Sequence, residues 1–163
     1  MNICFTSPTE NAYSETFIQY LREGLQGEVF HCYGDLWPYL ALKGKIQSYK
    51  TPPLKDIVLN RIGFIKRPLY EHYLIRFLKK NRIDVLFVNY GPAGASMASV
   101  AENLNIPMIV HFHGFDASIF DVLNKYKEAY RQLFKVAKWI IVVSEEMKSD
   151  LISLGAPEGK LVK

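Results

Sequence analysis

The chain has 163 residues, 49% of them apolar, 22% charged and 13% aromatic, with a net charge of +4. That length suits a single domain burying roughly 70% of the surface its unfolded form exposes, and the composition excludes disordered, collagen-like and low-complexity classes. The longest uncharged run, residues 85–101, is too short and too polar to cross a bilayer, and no signal-peptide pattern precedes the first basic residue, Arg22. Cys4 and Cys32 therefore read as reduced thiols in a cytosolic protein.

Residues 2–6 form an apolar strand, stopped by the turn residues that follow. Ser14 is placed to N-cap a helix whose apolar positions Phe17, Ile18, Leu21 and Leu25 recur at helical spacing, and Gly27 ends it. Residues 28–32 read as a second strand, and 33–53 as an aromatic loop broken by Gly and Pro. Two basic amphipathic helices follow, 54–66 and 69–81, split by Arg67 and Pro68. The later elements are a strand at 84–89, a helix at 93–104 begun by Pro92, a strand at 107–113 and a helix at 121–137. A strand at 139–143 and a helix at 145–154 capped by Ser144 come next, and a further strand begins at Leu161. Near-continuous apolar strands alternating with helices argue an α/β fold with a doubly wound parallel sheet, over one domain spanning 1–163.

The mean charge hides an asymmetry. Residues 43–82 hold eleven basic residues against two acids, Asp56 and Glu71, a net of +9 that leaves −5 for the rest of the chain. Such a block implies either an anionic partner or a solvated helical face. On the first basic helix Leu54, Ile57, Val58 and Ile65 make the stripe expected to pack inward. Arg61 lies in its midst, and Leu59 and Phe64 fall off it, beside Lys55, Lys66 and Arg67. Basic residues around a protruding apolar edge suit an anionic membrane surface. A nucleic-acid-binding module would also use the block, but it carries no recognition motif, and no nucleic acid is expected.

Ligands of parallel sheets collect beyond the carboxyl ends of the strands. The most informative stretch there is His111, Phe112, His113, Gly114, Phe115 and Asp116. Alternation puts His111 and His113 on one face, and Gly114 allows a sharp turn that brings His113 and Asp116 toward the crevice. Three readings stay open: a metal site, a histidine pair satisfied by main-chain groups, and a polar acid/base or substrate-orienting pair of His113 with Asp116. The small residues from Gly91 to Ser96 fit close helix–sheet packing better than phosphate binding, since neither G-x-G-x-x-G nor a P-loop is present. Ser14, Glu15 and Thr16 offer hydroxyls and free N–H groups, suited to a hydroxyl-rich ligand or to plain capping.

Taken in order, Phe5-Thr6-Ser7-Pro8, Ser14-Glu15-Thr16-Phe17-Ile18, the 111–116 stretch, Val142-Val143-Ser144-Glu145-Glu146-Met147 and Leu154-Gly155-Ala156-Pro157 resemble the amino-terminal half of family 4 glycosyltransferases. The resemblance runs from residue 3 to residue 163. It implies a GT-B enzyme in which two Rossmann-like domains face each other, the amino-terminal one binding acceptor and the other the nucleotide sugar. It also implies sugar transfer to a hydroxyl with retention, in bacterial polysaccharide or glycolipid synthesis, on a sugar or lipid-linked acceptor at the cytoplasmic face of a membrane. His113, Gly114 and Asp116 match the family's His-Gly-x-Asp stretch, with His113 expected to orient hydroxyls and Asp116 to fix its ring or the loop. Ser14 and Thr16 would line the acceptor side. The family's Glu-x7-Glu donor motif is absent, so the chain is expected to be half an enzyme, inactive alone, with no metal or cofactor of its own. A flavodoxin-like binding or regulatory domain and a basic nucleic-acid-binding module remain the alternatives.

Overall fold

Short apolar runs bounded by turn residues become parallel strands here, and the helices between them cover their faces. A computed structural model describes residues 1–10, 16–118 and 120–163, and the chain divides into two compact units, Met1–Asp84 and Val85–Lys163. Ser14, read as a helix cap, lies outside the described residues.

In the first unit β1 (Asn2–Ser7) and β2 (Glu28–Tyr33) pair in parallel, from Asn2 opposite Glu28 to Ser7 opposite Tyr33. The helix α1 (Thr16–Gly24) lies between them in the chain. β3 (Leu40–Ala41) adds a short antiparallel edge to β2, inside a stretch whose sequence reads as loop. After α2 (Leu54–Arg61), α3 (Leu69–Lys80) buries Tyr73, Leu74, Phe77 and Leu78, one face of the helix. Phe77 meets Phe30 of β2 edge-on with centroids 6.2 Å apart. Cys4 and Cys32 are free, buried thiols with sulfurs 3.8 Å apart.

α2 departs from expectation twice. It stops at Arg61 rather than residue 66, because Gly63 takes a left-handed φ of +79° and the Asn60 amide donates to the carbonyls of Ile65 and Arg67 at 2.7 and 2.8 Å. Its apolar stripe also faces outward. Leu54 is 76% exposed, Ile57 41% and Val58 49%, and the buried side chain of this helix is Asp56. Burial of Asp56 is tolerated because the Tyr73 hydroxyl donates to its carboxylate at 2.9 Å.

The second unit contains β4 (Val85–Asn89), α4 (Gly91–Leu104), β5 (Met108–His111), α5 (Gly114–Ser118), α6 (Phe120–Val136), β6 (Trp139–Ile141), α7 (Glu145–Ser153) and β7 (Leu161–Val162). Its strands run parallel in the order β4-β5-β6-β7. Close packing of α4 needs small residues: a Cβ on Gly94 would sit 2.8 Å from a Val110 methyl. Ser144 caps α7 as read, its hydroxyl accepting from the Met147 N–H at 3.1 Å. The Lys160 ammonium satisfies the last carbonyls of α6, reaching those of Phe134 and Lys135 at 2.9 and 2.7 Å. Each unit is α/β with mostly parallel strands, and the fold is Rossmann-like. No helix among the described residues is long and apolar enough to cross a membrane.

Candidate functional site

The carboxyl ends of β4 and β5 meet the starts of α4 and α5 in the second unit. β5 ends at His111, two residues short of the expected strand. The Phe112 N–H still donates to Ile141, but the His113 N–H turns to the Asp116 carboxylate at 2.6 Å. α5 then begins at Gly114, which has no positive φ and open space where a Cβ would stand. The chain turns here by starting a helix, not through glycine's left-handed freedom.

Asp116 is fully buried. One carboxylate oxygen accepts from His113 N–H and the other from Gly91 N–H at the start of α4, while its own carbonyl accepts from the Tyr130 hydroxyl at 3.1 Å. Its carboxylate therefore ties the β4–α4 turn to the β5–α5 turn through main-chain amides. Burial pushes the Asp116 pKa up to about 6, against the downward pull of these N–H groups.

The His113 ring stands between two others, 4.1 Å from His111 and 4.4 Å from Tyr90 by centroid. Tyr90 holds a left-handed φ of +74°, rare for an aromatic residue, which brings it to the N-terminus of α4. Burial drives the His113 pKa to about 3, with His111 adding to the effect, and drives His111 to about 4. Both imidazoles are neutral at pH 7, each with one N–H donor and one acceptor nitrogen. Nδ1 of His111 is buried with no hydrogen-bond partner among the described residues. Neutral rings of this kind recognise hydroxyl groups well and anions poorly.

Tyr90, Gly91 and Tyr130 escape a reading for site residues. Gly91 appears in the sequence only as a packing residue, and it is one: a Cβ there would meet the Phe112 ring at 2.3 Å. Its second task, donating to Asp116, depends on a residue 25 positions away. Among the described residues no group of three His, Cys, Asp or Glu could hold a metal ion.

In the first unit, Thr16 is exposed as the opening residue of α1. The loop after β1 is held by Ser7, whose hydroxyl lies 2.7 Å from His31 Nε2 and 2.6 Å from the Thr9 carbonyl. Lys55, Arg61, Lys66 and Arg67 are all exposed, and Arg67 pairs with Glu71 at 3.3 Å.

The sequence profile described as Glycosyltransferase Family 4 matches residues 15–162. A protein of Escherichia coli (strain K12) named as a candidate colanic acid biosynthesis glycosyltransferase, WcaL, is 33% identical over 82 residues, covering 49% of this chain and 20% of its own length. The amylovoran biosynthesis glycosyltransferase AmsK of Erwinia amylovora is 28% identical over 116 residues, covering 69% of this chain and 28% of its own. Among solved structures, Anabaena HepE in complex with UDP-glucose superposes with a TM-score of 0.64 at 12% identity, over 99% of this chain and 43% of that one. The UDP-GlcNAc 2-epimerase of Methanocaldococcus jannaschii gives 0.58 at 14%, over 99% and 45%. These structures share the fold, and the chain spans less than half the length of each of these proteins.

Proposed function

Because this chain belongs to glycosyltransferase family 4, we propose that residues 1–163 are the acceptor-binding half of a retaining GT-B enzyme. The enzyme moves a hexose from a nucleotide sugar to a hydroxyl acceptor in bacterial polysaccharide synthesis, the setting for which WcaL and AmsK are named. The observation that carries this reading is the neutral, buried His113–His111 pair at the strand ends, in a loop locked by Asp116. A nitrogen whose pKa lies near 3 is a poor proton acceptor at neutral pH, so His113 acts by hydrogen-bonding and orienting a sugar hydroxyl. Asp116 is a positioning residue that keeps the His113 main chain and the start of α4 in one arrangement. Ser14, Thr16 and Gly114 belong to the acceptor side. Charge on the departing diphosphate is met by the donor-binding half, so this half needs neither metal nor cofactor.

The same reading places the enzyme on the cytoplasmic face of the membrane, where a lipid-linked acceptor is presented. The exposed Leu54, Ile57, Val58 and Phe64, ringed by Lys55, Arg61, Lys66 and Arg67, are the attachment surface.

The test pairs two measurements. In the transferase carrying this chain, His113→Ala should lower turnover roughly tenfold or more with little change in melting temperature. The chain alone should transfer no sugar and show no calorimetric binding of UDP or GDP below about millimolar concentration, an affinity of at best about −4 kcal/mol. Micromolar nucleotide binding by the chain alone would make it a nucleotide domain instead.

A further inference from the structure

The pairing of charges within the basic block is uneven. Lys43, Lys50 and Arg67 each have an acid, Glu28, Asp35 and Glu71 respectively. The other eight basic residues of the block form no ion pair among the described residues, and four of them, Lys45, Lys55, Arg76 and Lys80, line one cavity of about 230 Å³ in the first unit. They arrive from three segments: Lys45 from the loop before α2, Lys55 from α2, and Arg76 with Lys80 one turn apart on α3. The cavity's single acid is Asp56, already engaged by the Tyr73 hydroxyl. Burial and the Asp56 hydrogen bond raise the Tyr73 pKa to about 12, so the phenol keeps its proton and remains a donor to Asp56.

Four cations and one carboxylate leave a local charge of +3 around a small concave space. Without a counter-anion, cations gathered this closely repel one another. The volume is below the ~300 Å³ at which pockets for whole drug-sized ligands begin, so the natural occupant is a group, not a nucleotide. Convergent donors on several sides suit a tetrahedral dianion better than a planar carboxylate.

We infer that this cavity is an oxyanion site that takes a phosphoryl group, held by Lys45, Lys55, Arg76 and Lys80. The site lies within the first unit and is independent of the role given to His113, so either can fail without the other. The phosphoryl group belongs either to a free phosphorylated compound or to a lipid headgroup, and Leu54 and Val58, exposed one residue before and three after Lys55 on the same helix, are what a lipid would add.

The experiment is a titration of the 163-residue chain with inorganic phosphate, followed by amide NMR shifts at ionic strength held constant with sodium chloride. Saturable shifts are expected at the amides of Lys45, Lys55, Tyr73 and Arg76. Arg76→Gln with Lys80→Gln should weaken binding roughly tenfold or more, while Lys79→Gln with Arg82→Gln, which removes the same charge outside the cavity, should change it by less than about twofold. Lys45→Gln alone, on an exposed loop, provides a second variant should the first fold poorly. Linear shifts without saturation, the same shifts with chloride, or equal losses in both double variants would overturn the inference. Dihexanoyl phosphatidic acid below its micellar concentration is the second probe. Binding tighter than phosphate and weakened by Leu54→Ser with Val58→Ser assigns the group to a lipid, and equal affinities assign it to a free phosphorylated compound.

Discussion

The guanidinium of Arg22 lies 2.7 Å from Nδ1 of His31. A guanidinium only donates, so Nδ1 must accept and the neutral ring carries its proton on Nε2. That N–H then donates to the Ser7 hydroxyl at 2.7 Å, which leaves the Ser7 O–H to donate to the Thr9 carbonyl at 2.6 Å. The direction of each bond in the series Arg22, His31, Ser7, Thr9 follows from one arginine.

Nitrogen NMR should accordingly find His31 as the Nε2–H tautomer at neutral pH. Burial and then Arg22 hold its pKa at about 4. Arg22→Leu should raise that value, mix the tautomers and cost about 1 kcal/mol of stability. Observing the Nδ1–H form in the unmodified chain would contradict the assigned direction.

Acid should destabilise the chain. His31, His111 and His113 have folded pKa values of about 4, 4 and 3, all below the ordinary 6.5. As pH falls below 6.5 the unfolded chain takes these protons first, so stability is lost until each folded pKa is reached. Asp116, raised from 3.8 to about 6, works the other way: between those values the native state binds the proton first and gains stability. Three larger shifts oppose one smaller one, so calorimetry should show the melting temperature falling from about pH 7 to about pH 5. A rise over that interval would mean that Asp116 dominates.

Substitutions around the His113 loop should separate support from contact. Asp116→Asn leaves two buried N–H groups competing for one amide oxygen, and a loss of about 1–3 kcal/mol is expected in denaturant titrations. Gly114→Ala should leave stability within about 0.5 kcal/mol, since its Cβ would meet nothing within 4 Å. Should Gly114→Ala nevertheless raise the acceptor KM in the transferase, acceptor passes directly over that main chain. An unchanged KM would remove Gly114 from the acceptor side.

Gly91 and Gly94 should be far less tolerant. A Cβ at Gly91 would overlap the Phe112 ring at 2.3 Å and the Tyr130 hydroxyl at 2.8 Å. One at Gly94 would press on both Val110 methyls at 2.8 and 2.9 Å. Gly94→Ala should cost about 1–3 kcal/mol and Gly91→Ala at least as much. Equal stability to the unmodified chain would show that α4 can lift from the sheet cheaply.

Co-sedimentation with phosphatidylglycerol vesicles checks the attachment surface. Binding is expected at low salt, and high salt or Lys55→Gln, Arg61→Gln, Lys66→Gln and Arg67→Gln together should abolish it. Each basic residue near the surface contributes about 1 kcal/mol. Equal binding to neutral vesicles would remove the electrostatic part.

What could be read from the residues in advance was mostly local. Ser144 ahead of two glutamates announces its cap, and the i, i+2 spacing of His111 and His113 leaves their rings 4.1 Å apart even though β5 ends at His111. What escaped depends on distant partners. The stripe on α2 reads as an inward face because Ile65 prolongs its apolar pattern past Gly63, and the residue that turns the helix round, Asp56, finds its partner Tyr73 on the next helix. α5 was hidden because Gly114 resembles a turn residue, and Asp116 joins two loops whose nearness only the parallel sheet creates. The two-residue strand β3 was concealed within a loop rich in glycine and aromatic residues, too short for any periodicity to register.

A helix fastened by a polar peg behaves differently from one fastened by a greasy face. Detaching α2 would break the Asp56–Tyr73 hydrogen bond but wet less apolar surface than detaching α3, since Leu54 is mostly exposed and Ile57 and Val58 are about half exposed. α3, with four buried side chains, has no such inexpensive exit. The amides of α2 should therefore exchange with deuterium through local opening, long before those of α3, whose protection tracks the collapse of the whole unit.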